Sequence, residues 1–146
     1  MTINIHQIRN RLPHRYPFLM IDRVVECVPG EYLKAIKNVT VNEPFFQGHF
    51  PHHPIFPGVM LIESMAQAAA MLASETIDQT PGDSTVCLFA GIDKARFKRP
   101  VEPGDRLDIT VRLIRRKRDI WRCGAEARVE DSLAASADIL FTYRAL

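Results

Sequence analysis

The chain has little of what cysteine chemistry needs. Cys27, Cys87 and Cys123 are the three cysteines in 146 residues, odd in number, widely spaced and without a CxxC. That speaks against a disulfide scaffold or a cysteine-based zinc site, and for buried free thiols in a reducing compartment. Charge of one sign is also lacking. With 19 Lys and Arg against 17 Asp and Glu the net charge is +2, too small to point to nucleic acid. No basic region followed by an apolar core opens MTINIHQIRNRL, so no secretory leader is expected and the cytoplasm is the default. There is no G-x-S-x-G, no GxGxxG and no P-loop, which leaves a serine hydrolase or a nucleotide enzyme without support. Repeats, low-complexity tracts and long linkers are absent as well, so one domain is expected over 1–146. The apolar run at residues 58–73 falls short of the ~20 residues a bilayer requires and contains Glu63 and Gln67, so no membrane span is expected.

What is there suits a soluble globular protein: 47% hydrophobic and 25% charged residues exclude a disordered chain. The stretch at residues 45–74, FFQGHFPHHPIFPGVMLIESMAQAAAMLAS, organises the rest. It joins a loop with three histidines and recurrent prolines to a run that is apolar almost all round, and a helix with no polar face must be buried. Glu63 is the one ionisable side chain in residues 58–73, and burying a carboxylate is costly unless it is paired or protonated.

In chain order, Ile5, Ile8 and Leu12 sit at helical spacing behind a plausible cap pair, Asn4 and Gln7, so the chain opens with a short amphipathic helix ended by Pro13. Residues 18–28 and 32–41 read as strands joined by a turn at Pro29-Gly30. After the long helix a loop is expected at residues 80–83, then a short buried strand at 86–90 and an extended segment, KARFKRP, with Arg96 and Lys98 on one face and Phe97 on the other. Pro103-Gly104-Asp105 marks a turn. Leu107, Ile109, Val111 and Leu113 alternate with polar residues, and strands at 121–129 and 133–143 follow. One long buried helix and about six strands with short connections give an α+β fold, an antiparallel sheet wrapped around the helix.

The proline spacing of Pro51, Pro54 and Pro57 predicts a stiff, extended support for His49. His49 near the mouth of a buried helix and Glu63 inside it suit an acid/base pair whose pKa values burial pushes toward neutrality. The plain alternative is a histidine that only caps a turn. His49, His52 and His53 do not follow a recurrent zinc-ligand spacing, so no metal is expected. The free N–H groups of Gly58 and Val59, at the start of the helix behind Pro57, are placed to hold an oxyanion; Gly58 equally permits close packing. Gln67, one turn beyond Glu63 on the same face, is placed to orient it or to satisfy a neighbouring backbone group. Phe46, Met60, Leu61 and Met65 border an acyl channel or belong to the plain core.

LPHRYPFLMIDRV at 12–24, NVTVNEPFFQGHFPHHPIFPGVMLIESMAQ at 38–67 and DKARFKRPVEPGDRL at 93–107 resemble the (3R)-hydroxyacyl-[acyl carrier protein] dehydratases of bacterial fatty acid synthesis, a hot-dog-fold family. The resemblance implies a helix in an antiparallel wrap, with His49 and Glu63 as the catalytic pair and thioester-binding amides at Gly58 and Val59. It implies no cofactor and no metal. Its partner is an acidic acyl carrier protein bearing a 3-hydroxyacyl chain, with a homodimer as the minimal unit, assembled as a trimer of dimers; the basic patch of Arg96, Lys98 and Arg99 is placed to dock that partner or is a solvated strand edge. Neither nucleic acid nor membrane is implied. His52-His53 departs from the small residues of many relatives. The sister dehydratase that also isomerises the double bond carries aspartate where Glu63 stands, so isomerisation is not expected. A hot-dog acyl thioesterase and a non-catalytic acyl-binding module are the alternatives, separable by whether enoyl thioester, free thiol or neither appears.

Overall fold

The computed structural model describes residues 1–78 and 85–145; the loop expected at residues 80–83 lies outside the described residues. Helix α1 (Ile5–Arg11) starts on a reciprocal cap: the Gln7 backbone N–H donates to Asn4 Oδ1 at 3.0 Å, and the Asn4 backbone N–H donates to Gln7 Oε1 at 2.9 Å. Two of the helix's orphan donors are thereby satisfied. Helix α2 (Gly58–Ile77) is buried from Leu61 to Ser74 apart from Glu63, which follows from its having no polar face. It ends on Asp78 in the left-handed conformation.

Six strands surround α2 in one sheet: β1 (Arg23–Val28), β2 (Tyr32–Asn38), β3 (Thr85–Phe97), β4 (Arg106–Lys117), β5 (Ile120–Val129) and β6 (Ser132–Ala145). Every neighbouring pair is antiparallel, in the order β1-β2-β4-β5-β6-β3, and α2 packs on β2, β4, β5 and β6. Inward positions alternate: Leu107, Ile109 and Val111 on β4 and Trp121, Cys123, Ala125, Ala127 and Val129 on β5 are buried. Alanines on both partners, among them Ala69 and Ala73 on α2 and Ala35 and Ala135 on the sheet, let the layers approach closely. The α+β arrangement expected from the sequence is the one observed.

Two segments differ from expectation. Residues 18–22 are not strand: Phe18 and Met20 bond the Gln67 side chain of α2, and Met20 and Ile21 are both buried, so apolar residues here pack on the helix instead of pairing. The short strand at 86–90 and the KARF segment are one 13-residue strand, β3, interrupted by register shifts at Phe89/Gly91 and Asp93/Arg96. Such bulges break the alternation that would otherwise disclose a single strand. Strand β3 also closes one side of the sheet as an edge, and Leu88, Phe89, Ile92 and Phe97 along it remain 40–53% exposed. A long apolar edge is an invitation to pair with another chain.

The route from β2 to α2 is anchored by a buried ion pair. Lys37 Nζ donates to Glu43 Oε1 at 2.6 Å and to the Asn38 carbonyl at 3.1 Å, and lies over the Phe56 ring. Phe56 in turn packs with Phe45 and Phe46. Glu43→Ala, which leaves a buried ammonium unpaired, is expected to lower the unfolding free energy by about 3 kcal/mol in urea titrations, whereas Lys37→Met combined with Glu43→Leu costs less than about 1 kcal/mol. Equal losses in the two variants would show that the charges contribute nothing beyond their packing.

Candidate active site

Glu63 lines a cavity of about 220 Å³ with His14, Ala66, Gln67, Ala70, Cys87, Leu88, Phe89 and Phe141. Its side chain is 15% exposed. Burial raises the carboxyl's pKa above its ordinary value, and a hydrogen bond from Gln67 partly opposes the rise. Gln67 Nε2 donates to Glu63 Oε2 at 2.8 Å and to the Phe18 carbonyl at 2.7 Å, while its Oε1 accepts from the Met20 N–H at 2.8 Å. Gln67 therefore both orients Glu63 and satisfies neighbouring backbone; the two roles weighed for it coexist. Cys87 faces the same cavity, and burial, reinforced by the Glu63 charge, pushes its thiol up to about 12.

His49 stands on a loop that doubles back. The Ile55 N–H donates to the His49 carbonyl at 3.0 Å, His49 Nδ1 lies 2.7 Å from the Ile55 carbonyl, and the His53 N–H donates to the Phe50 carbonyl at 3.1 Å. The extended support expected from the proline spacing is thus corrected: residues 50–53 form a turn, because Ile55 returns to bond His49 at two points. Since a carbonyl can only accept, Nδ1 carries a proton toward Ile55, which leaves Nε2 as the ring nitrogen that could accept one.

Gly58 begins α2, whose first turn carries neither a side-chain cap nor an acidic residue. A Cβ on Gly58 would stand 3.1 Å from Phe97 Cε1, so close packing is one reason for glycine here. A groove of about 330 Å³ joins Gly58 to Ile55, Leu61, Phe97, Lys98 and Arg99. Val59 is 73% exposed. Arg96 bonds the Ala95 carbonyl, and Arg99 lies 4.0 Å from Asp105.

The chain thus places its expected residues in two separate hollows. Glu63 and Gln67 lie in one, Gly58 and the basic residues Lys98 and Arg99 in the other, and His49 is tied to the second through Ile55. The expected channel residues Phe46, Met60 and Met65 do not border the Glu63 cavity, and Leu61 belongs to the Gly58 groove; the walls beside Glu63 are Ala66, Ala70, Phe89 and Phe141. Sequence reasoning missed His14, whose Nε2 is 3.7 Å from Glu63 Oε2. Its one available signal was its place at the head of the LPHRYPFLMIDRV motif. Among the described residues no cluster of three or more His, Cys, Asp or Glu is arranged to hold a metal, and no helix is long and apolar enough to cross a membrane.

The chain is similar to known proteins along nearly its whole length. The FabA-like domain family matches residues 12–138. A 3-hydroxyacyl-[acyl-carrier-protein] dehydratase FabZ of Polaromonas sp. is 56% identical over 144 residues, covering 99% of each chain, and that of Dechloromonas aromatica is 53% identical over 144 residues, covering 99% of this chain and 100% of that one. Among solved structures, a chain of the dehydratase heterocomplex ApeI:P from Xenorhabdus doucetiae superposes with a TM-score of 0.79 at 17% identity over 93% of this chain and 90% of that one, a likeness of fold. A helix wrapped by a six-stranded antiparallel sheet, a half-buried carboxyl on that helix and identity of more than half along nearly the whole chain lead to one conclusion: the chain belongs to the FabA-like domain family and, within it, to the FabZ-type dehydratases.

Proposed function

We propose that the protein dehydrates (3R)-3-hydroxyacyl-[acyl carrier protein] to the trans-2-enoyl thioester in fatty acid biosynthesis, in the cytoplasm and without a cofactor. The observation that carries this reading is the Glu63 carboxyl: half-buried, raised in pKa and set in a largely apolar cavity, it is able to hold a proton for a departing hydroxide. His49 Nε2 takes the C2 proton, and the N–H groups of Gly58 and Val59 hold the charge developing on the thioester oxygen. The C3–O bond then breaks with its electron pair on oxygen, which receives the Glu63 proton and leaves as water.

The separation of the Glu63 cavity from the Gly58 groove and its His49 loop supports a site shared between two chains. Cys87, Leu88 and Phe89 border the Glu63 cavity at one end of β3, and Phe97 borders the Gly58 groove at the other. Antiparallel pairing of two β3 edges about Ile92 and Asp93 sets Leu88 of each chain across from Phe97 of the other. The hollow with Glu63 then faces the partner's Gly58 groove and His49 loop, and the exposed apolar edge is covered. A homodimer is the minimal unit on this reading, and a trimer of dimers the larger assembly. An acidic acyl carrier protein docks where Lys98 and Arg99 rim the Gly58 groove, with Arg96 beside them.

Glu63→Gln and His49→Ala are each expected to lose at least about 100-fold in turnover of a 3-hydroxyacyl thioester while keeping their circular dichroism. Free thiol released without enoyl product would instead mark a thioesterase. Glu63→Gln also has a stability signature. A carboxyl whose folded pKa is raised contributes stability at acid pH that is lost as pH rises through the folded value, so the variant's stability relative to wild type should grow as pH rises from the ordinary carboxylate range through that raised value. A difference that does not change with pH would place Glu63 in an ordinary solvated environment.

Denaturing and refolding His49→Ala with Glu63→Gln in equal amounts should restore about a quarter of wild-type activity, because half of the random dimers are mixed and each mixed dimer holds one intact site of two. Mixed dimers seen by mass spectrometry but devoid of activity would confine both residues to one chain. Reversing Arg96 and Lys98 to glutamate should raise KM about tenfold or more for carrier-protein substrates and leave it nearly unchanged for small thioester mimics. Equal effects on the two substrates would exclude docking there.

A further inference from the structure

The dehydration chemistry leaves one neighbour of Glu63 unused. His14 Nε2 points to the carboxyl at 3.7 Å, its side chain is 20% exposed, and its ring stacks on Phe18 with centroids 6.4 Å apart and planes 14° from parallel. The loop that carries it is built, not loose. Arg15 Nη1 donates to the His14 and Leu12 carbonyls at 2.7 and 2.8 Å, Arg15 Nη2 donates to the Arg9 carbonyl at 2.9 Å, and Gln67 holds Phe18 and Met20 while also holding Glu63. One amide thus sets the positions of both the carboxyl and the imidazole's loop.

The ring's tautomer follows from its surroundings. His14 Nδ1 is buried with no hydrogen-bond partner among the described residues. A buried N–H without an acceptor is costlier than a bare lone pair, so the proton belongs on Nε2, facing Glu63. Burial first, and then the Arg15 charge, lower the pKa of His14 and keep it neutral near neutral pH. The titratable and charged groups around the pair are Arg15 from the same loop, Glu63 from α2 and Cys87 from β3. A contact of 3.7 Å exceeds hydrogen-bond length, and a full negative charge on the carboxylate draws an N–H at this distance inward.

We propose that His14 is a positioning residue for Glu63, donating from Nε2 to the carboxylate that remains once Glu63 has given its proton to the departing 3-hydroxyl. The inference rests on the reading of Glu63 as the proton donor. Together with the Gln67 amide, His14 supplies a second N–H to the conjugate base, so that C–O cleavage leaves a stabilised carboxylate instead of a bare buried charge. It makes no direct contact with the reacting carbons and adds no net charge to the cavity.

The test uses the whole protein and two thioester substrates, one with a 3-hydroxyl and one with a 3-fluoro group, whose fluoride leaves with the C3–F electron pair and needs no full proton transfer. His14→Phe should lower kcat on the hydroxy substrate by about 10- to 100-fold, the range of a hydrogen bond to a charged group, with KM changed less than about threefold. On the fluoro substrate the loss should shrink to less than about threefold. His14→Gln, which returns an N–H donor at similar reach, should restore most of kcat. Equal losses on both substrates, a His14→Gln enzyme as slow as His14→Phe, or a fully active His14→Phe would each overturn the proposal. Glu63→Gln is assayed beside them: its inactivity with an active His14→Phe refutes His14 alone, whereas an active Glu63→Gln refutes the proton-donor reading and this inference with it.

Discussion

The Gln67 side chain is the junction on which the site's geometry depends. Its amide is buried, and all of its bonding reaches structure: both N–H groups are used, on Glu63 and on the Phe18 carbonyl, and its oxygen accepts from Met20. A buried amide satisfied in this way behaves as a rigid strut, because any motion of one partner leaves another unpaired in a low-dielectric interior. Residues 18–22 follow α2 because of it. The same amide, one turn along α2, also holds Glu63 at the cavity wall.

The second constraint is that α2 has no polar side to turn to water. Five antiparallel pairings wrap the sheet around it, but a sheet of six strands still has two edges, and one of them is the apolar β3. The same strand touches the Glu63 cavity near Leu88 and the Gly58 groove near Phe97. Both hollows therefore border an edge at which the sheet is left open.

How much of this was legible depended on whether the signal was local. Helix α2 was legible because sixteen consecutive positions, residues 58–73, offer no polar face, and the Asn4/Gln7 cap was legible because its partners are three residues apart. Residues 18–22 misled, since apolar residues packed on a helix, Met20 and Ile21 here, leave the same composition as those buried in a strand. Strand β3 was split because Lys94, in the left-handed conformation, and the register shifts at Phe89/Gly91 and Asp93/Arg96 erase the period of two. Glu63 announced itself by being a lone carboxyl in an apolar run. His14 did not, for it lies 49 positions away on a loop, and no local rule relates a loop residue to the helix face it will meet.

The placement of Cys87 bears on durability. An α,β-unsaturated thioester, the product proposed above, adds to thiolates by conjugate addition, and a cysteine in the cavity wall would be an obvious target. With its thiol pushed up to about 12, Cys87 is ionised at neutral pH to the extent of only on the order of one molecule in 10⁵. The desolvation that raises Glu63 thus also keeps the thiol in the wall of its cavity protonated. A cavity of this kind carries a cysteine in its wall without presenting a thiolate to what it holds.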